Sequence, residues 1–204
     1  MTQLSLFSAD LAEPRPEDLG GLLAAHGQVA RRGVSARLSI LLDGQWRADA
    51  LLREFLVRDV PAQASAARSA GRTRDAASIV LVRTDWLPEL APVADAWTRG
   101  AVKAVPPGLV LGAGLLRCWT LSAGRRAEAP GAGFLLGLDS HAPETYEPLA
   151  AACSRSGVAG SILGVRAGGP ALRVVGYRRL MRLAELLGSP PPGSPPAAFP
   201  AAHR

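Results

Sequence analysis

The sequence predicts an α+β protein made of two pseudo-symmetric halves. Each runs helix, two strands, helix, two strands, and a last helix closes the second. Three observations predict this. Residues 19–27, Leu-Gly-Gly-Leu-Leu-Ala-Ala-His-Gly, and residues 98–106, Thr-Arg-Gly-Ala-Val-Lys-Ala-Val-Pro, each read as the close of a helix that leads into a strand. Each carries small residues four apart, Gly21 with Ala25 and Gly100 with Ala104, which share one helix face and allow close backbone approach. The element order behind each stretch then repeats. The halves, 17–84 and 85–188, are expected to meet along these two helices.

The first helix is expected over 16–25. Pro16, Glu17 and Asp18 suit its first turn, Leu19, Leu22 and Leu23 form its apolar stripe, and Gly27 ends it. A hairpin begins at 28–31 and turns at Arg32-Gly33, with a strand over 36–42 and a turn at Asp43-Gly44. Residues 45–58 are expected to form an amphipathic helix with Trp46, Ala50, Leu51 and Phe55 inward and Arg47, Asp49, Arg53 and Arg58 outward. Strands at 63–68 and 78–82 flank the Arg-rich loop 71–74. A long helix is expected over 88–104, ended by Pro106-Pro107-Gly108, and a short strand over 109–111. Residues 115–123 are ambiguous between helix and strand and read as an insertion. A strand at 134–138, a helix at 143–156, a hairpin of 162–166 with 171–175 around Gly168-Gly169, and a helix at 177–187 complete the second half. The tail 1–16 is expected to be flexible, and the Pro-rich 189–204 disordered.

The chain has 204 residues, a net charge of +6 and a pI near 10.5. Lys103 is its only lysine; the other cations are arginines. That balance favours a polyanionic partner, most simply nucleic acid, although a GC-rich genome also raises Arg, Ala, Gly and Pro together. Cys118 and Cys153 form no CxxC and suit buried thiols in a reducing compartment. The longest apolar stretch, 108–116, is too short to span a bilayer. No basic region followed by an apolar run opens the sequence, so a cytoplasmic, nucleoid-associated setting is expected.

Residues 19–27 resemble the nine-residue motif of the LAGLIDADG homing endonucleases at Leu19, Gly21, Leu22, Ala25 and Gly27, with Leu23 conservative. Residues 98–106 keep Gly100 and Ala104. The chain is more similar still to the N-terminal domain of WhiA-type actinobacterial regulators, through Trp97-Thr98-Arg99-Gly100-Ala101 and the closing helix 177–188. The resemblance covers 16–188, and residues 108–133 fit it worst. It implies two antiparallel sheets forming a saddle over DNA, in a monomer with an internal pseudo-twofold axis. Cleaving members carry an acid at the penultimate motif position in both halves, where the two carboxylates share divalent metals. Here those positions read His26 and Val105, so no nuclease activity, metal or other cofactor is expected. Gln3-Leu4-Ser5-Leu6-Phe7 resembles the bacterial sliding-clamp-binding peptide at every position, which implies a second partner, the replication clamp, and a setting in DNA replication or repair. The alternative is that Leu4, Leu6 and Phe7 pack on the protein's own core or form an edge strand.

DNA contact is expected from Arg31, Arg32, Arg37, Arg68, Arg72, Arg74, Arg117, Arg125, Arg126, Arg166 and Arg173, on or beside the strands. Such contacts would reach mainly phosphates; the competing reading is a scattered, solvated arginine surface. Trp46, Trp97 and Trp119 read as core. Asp139 and His141 suggest a metal site or an acid–base pair, against the simpler reading that Asp139 caps the next helix. Three functions follow: a catalytically inactive DNA-binding accessory protein recruited to the clamp, a WhiA-like transcription regulator without clamp binding, or a metal-dependent enzyme built on Asp139 and His141.

Overall fold

The computed structural model describes residues 8–67, 79–128 and 133–200. A 3-10 turn (Pro16–Leu19) runs straight into α1 (Gly20–Ala24), whose Leu22 and Leu23 are buried together with Leu19. Strands β1 (Gln28–Arg32) and β2 (Ser35–Asp43) form the first hairpin, turning through Gly33 at φ +58. Alternation then fixes the faces of β2. Ala36, Leu38, Ile40 and Leu42 point into the core, and Arg37, Ser39 and Leu41 point away. Helix α2 (Gln45–Leu56) lays Ala48, Leu51 and Phe55 on that core. Strands β3 (Ala62–Ala66) and β4 (Ile79–Thr84) complete an antiparallel sheet of order β1-β2-β4-β3. Helix α3 (Ala91–Trp97) packs back on this half, and the Trp97 indole lies so close to Gly20 that no side chain fits there.

The long helix expected over 88–104 stops at Trp97. The Thr98 hydroxyl donates to the Ala94 carbonyl (2.7 Å), and the chain turns into a small hairpin, β5 (Thr98–Arg99) with β6 (Val102–Lys103), through Gly100 at φ +62. Gly100 and Ala104 therefore lie on no helix, and residues 98–106 are not the second motif.

Helix α4 (Ala113–Ala123) takes that place, in the segment that read as an insertion. Gly21 of α1 is the point of closest approach. A Cβ there would strike the Leu115 carbonyl oxygen and lie 2.6 Å from the Trp119 nitrogen and 2.8 Å from the Cys118 Cβ. Strands β7 (Gly124–Arg126), β8 (Phe134–Gly137), β9 (Gly160–Leu163) and β10 (Ala171–Val174) form the second sheet in the order β7-β8-β10-β9, with α5 (Tyr146–Arg155) between β8 and β9. This is the strand order of the first sheet. Helix α6 (Tyr177–Leu187) closes the half against α4 through Leu183, Leu186 and Leu187. The second half thus begins at α4, not at residue 85. No strand forms over 109–111.

The described parts of both tails, 8–15 and 189–200, are better anchored than expected. Ser8 is buried, the Ala9 N–H donates to the Leu186 carbonyl (2.9 Å), and the Asp10 carboxylate accepts from the Ser189 N–H (2.8 Å). Arg58 donates to the Arg15 carbonyl (3.0 Å). At the other end Ala198 and Phe199 are buried in the core. Gln3, Leu4, Ser5, Leu6 and Phe7 lie outside the described residues, as do Arg68, Arg72 and Arg74. Among the described residues no helix is long and apolar enough to cross a membrane.

Candidate nucleic-acid interface

Each sheet gives one face to the helices and leaves the other outside. On the first sheet the cross-strand register puts Gln28, Ser39, Arg83 and Gln63 in one outer row, with Ala30 and Arg37 in the next. Arg32 lies on the same face beyond them. On the second sheet the matching row is Arg125, Leu135, Arg173 and Ser161.

The structure sorts the predicted arginines by these faces. Arg32 and Arg37 lie on the outer face, and both stack on the Trp86 ring, 4.7 and 4.4 Å from its centroid. A cation over an indole is held in place while keeping its charge. No acid pairs with Arg32, Arg37 or Arg83 among the described residues. Arg125 is exposed and donates to the Gly168 carbonyl (2.5 Å), Arg173 is half-buried with its Nε unpartnered, and Arg166 is exposed on the β9–β10 loop. Three others turn away. Arg31 points to the helix side and pairs with Asp95 of α3. Arg126 donates inward to the Phe199 carbonyl (3.2 Å). Arg117 sits on α4, pairs with Glu54 (2.7 Å) and donates to the Leu187 carbonyl (2.7 Å), as a structural strut. Sequence reasoning missed Arg83 because it ended that strand at Val82. The alternation of Val80 and Val82, both buried, was the signal that would have put Arg83 outside. Trp86 gave no signal, since its two partners lie on another hairpin.

The carboxyl ends of α1 and α4 lead directly into β1 and β7, the first strand of each sheet. The two registers make the ends comparable. Gly27 precedes β1 as Gly124 opens β7, Leu41 corresponds to Gly137, Asp43 to Asp139, and Arg83 to Arg173. His26 then corresponds to Ala123. Contacts agree, because the His26 Nε2 lies 2.7 Å from the Leu41 oxygen, and a Cβ on Gly137 would lie 2.8 Å from that of Ala123. The penultimate pair is therefore His26 and Ala123, replacing the expected His26 and Val105.

Cations stand at both ends. The Lys103 ammonium donates to the carbonyls of Ala25 (3.1 Å) and Gly27 (2.8 Å) and to the Asp139 carboxylate (2.6 Å). Gln28 adds a bond to the same carboxylate oxygen (3.3 Å). The Arg47 guanidinium donates to the carbonyls of Leu121 (2.8 Å), Gly124 (2.7 Å) and Thr120 (3.2 Å), and pairs with Asp43 (2.9 Å). Burial pushes the Asp139 carboxyl up, but the hydrogen bonds from Lys103 and the His141 N–H outweigh it and hold it below the usual carboxylate range. Burial also pulls the Lys103 ammonium below its ordinary value.

Asp139 is thus committed. Its other oxygen accepts from the His141 backbone N–H (2.9 Å) in a local turn and lies 3.4 Å from the His141 Nδ1, whose side chain is 90% exposed; Asp139 does not cap the next helix, whose first residues receive no side-chain cap. The residues at the helix ends do not suit a divalent metal: one histidine, one alanine and two cations offer no free hard ligand. Among the described residues no cluster of three or more His, Cys, Asp or Glu side chains forms.

Two αββαββ halves crossing through a glycine-lined helix pair, each with an outward antiparallel sheet, define a LAGLIDADG-like fold. The chain is similar to the homing endonuclease I-WcaI bound to its DNA recognition sequence, with a TM-score of 0.62 and 14% identity over 93% of this chain and 85% of the other. It is also similar to the N-terminal LAGLIDADG domain of DUF199/WhiA, with a TM-score of 0.55 and 15% identity over 86% of this chain and 81% of the other. No family model and no curated protein matches the sequence.

Proposed function

We propose that this protein is a catalytically inactive, LAGLIDADG-like DNA-binding protein that acts as an accessory or regulatory factor, recruited to the bacterial sliding clamp through Gln3–Phe7. The observation that carries the DNA reading is the outer face of the first sheet, where Arg32, Arg37 and Arg83 meet no acid among the described residues and two of them are braced on Trp86. Unneutralised guanidinia on an open sheet suit phosphates of a duplex, with sequence-tolerant and salt-sensitive affinity. Similarity to a homing endonuclease bound to its DNA recognition sequence supports DNA as the partner. Inactivity is supported by His26 and Ala123 at the helix ends, in place of carboxylates. The enzyme reading built on Asp139 and His141 keeps the 3.4 Å contact between the two side chains, but the Asp139 carboxylate is also held by Lys103, which favours the DNA-binding reading.

Clamp recruitment rests on the peptide itself. A tail that holds the ring raises the local concentration of a weak DNA-binding face. The WhiA-like regulator reading, which needs no clamp, keeps support from the fold similarity to that domain. Binding to the purified clamp of the same organism separates the two. The clamp reading expects binding by the intact protein and loss in Leu6→Ala/Phe7→Ala. Absence of binding by the intact protein removes the clamp and leaves the regulator reading. Incubation with supercoiled DNA and magnesium or manganese is expected to leave the DNA intact; cutting that survives stringent purification would overturn inactivity.

A further inference from the structure

Lys103 is the one lysine in a chain whose other cations are all arginine. Its place explains the exception. Three oxygens converge on the ammonium at 2.6–3.1 Å, two of them main-chain carbonyls at the end of α1 and one a carboxylate from the other half. An ammonium has three N–H donors on a compact head and satisfies all three. A guanidinium is planar and donates in a fork, so it cannot meet three oxygens converging on one point. The lysine side chain is 10% exposed and the Asp139 side chain 4%. Carbonyls and a carboxylate are also the oxygen types that a hard cation such as calcium takes, and these three would supply about half of its shell, with water completing it.

The pseudo-equivalent place at the end of α4 holds Arg47. Its side chain is 8% exposed, and it is paired with Asp43, the register counterpart of Asp139. Gly124 and Gly27, the carbonyls reached in the two cases, also correspond. The arrangement is crossed. Asp139 of the second half meets the helix end of the first through Lys103, and Asp43 of the first half meets the helix end of the second through Arg47.

We propose that Lys103 and Arg47 are the resident cations of this protein: each fills, from within the chain, an oxygen-lined site at a helix end, ties the two halves together there, and closes the site to metal ions. The Lys103 site is then a calcium-type site with its cation covalently supplied. This stands independently of the DNA reading, because it concerns only what holds the helix ends.

The test is thermal unfolding of the wild type, Lys103→Ala and Lys103→Ala/Asp139→Asn with and without millimolar calcium chloride. Lys103→Ala is expected to melt lower than the wild type and to recover by about 5 °C with calcium. The wild type and the double variant are expected not to respond. If Lys103→Ala does not fold alone, it is refolded with calcium; recovery of a cooperative transition supports the proposal, and failure in both conditions overturns it. An equal response of wild type and variant, or none in either, also overturns it. Lys103→Arg keeps the charge and is expected to melt several degrees lower; wild-type melting would contradict the fitted ammonium. Acylation of the intact wild type supplies a check without a variant. Lys103 is expected to react only on unfolding, and rapid modification in the native state would count against the proposal.

Discussion

The two halves share a blueprint and use it differently. Strand order, register and the helix end repeat, down to the pairs Asp43 with Asp139 and Arg83 with Arg173. The outer faces do not repeat. On the first sheet Arg32 and Arg83 are exposed and Arg37 is half-buried, none of them meets an acid among the described residues, and Trp86 braces Arg32 and Arg37. On the second, Arg125 is tied to Gly168, Arg173 is half-buried, and Leu135 between them is only 5% exposed. The same backbone therefore presents an available charge cluster on one side and a partly satisfied one on the other. Repetition of a fold carries over positions, and the side chains at those positions decide which half presents unpaired charge.

The largest effect is expected where the halves cross. Gly21→Val drives a branched side chain into the Leu115 carbonyl and the Trp119 backbone, and should cost about 3 kcal/mol or more, as chemical denaturation would measure. Gly100→Val, in the stretch that the sequence put forward as the second motif, meets open space and only a positive φ, so it should cost about 1–3 kcal/mol. Equal costs would contradict the assignment of α4 as the partner helix.

The next effect separates the faces. Arg32→Ala/Arg37→Ala/Arg83→Ala should weaken duplex binding by about 100-fold near 0.1 M salt, while Arg125→Ala/Arg173→Ala should weaken it by about tenfold or less. Fluorescence anisotropy with a labelled duplex reads both, and a reversed order would move the interface to the second half.

A smaller, pH-dependent effect belongs to Asp139. Its folded pKa lies below the unfolded one, so its ionisation contributes stability above about pH 4 that is lost as pH falls through the folded value. Asp139→Asn should flatten the loss of melting temperature in that acid range. An unchanged acid limb would show that the Lys103 pair is not formed.

The smallest effects are at positions turned away from the face. Arg31→Ala should leave DNA affinity within twofold and cost about 1 kcal/mol or less, as an exposed pair does. The Cys118 and Cys153 thiols, both pushed by burial up to about 12, should resist alkylation until the protein unfolds.

Much of this was legible in the sequence. Period-two alternation in 36–42 and the leucine stripe of 177–187 fixed elements to within a residue or two, because a half-buried element must repeat its apolar side at its own period. The second motif was not legible. In α4, Cys118 stands where α1 carries Gly21, and Trp119 and Thr120 take the places of Leu22 and Leu23, so the packing is kept while only the ends of the motif, Leu19 with Leu116 and Gly27 with Gly124, share a residue. Residues 98–106 offered a better match of letters, but Gly100 serves there as a left-handed turn. The sheets' outer arginines were half legible, since alternation shows which way a residue points but not whether an acid waits there. Arg31 looked equivalent to Arg32 until Asp95 of α3 was brought beside it. The cations at the helix ends were not legible as such: the Asp43–Arg47 pair is local, but the carbonyls that Lys103 and Arg47 reach lie 73 to 78 residues away and the Asp139 carboxylate 36 residues from Lys103, so Arg47 read as an outward residue of its helix.

The most direct measurement is the salt dependence of duplex binding by the intact protein and by the Arg32→Ala/Arg37→Ala/Arg83→Ala variant. The expected result is a linear fall of log affinity with log salt, with a slope shallower by about 2–3 in the variant, as three lost phosphate contacts require. A flat slope, absence of binding at low salt, or an unchanged slope in the variant would contradict it.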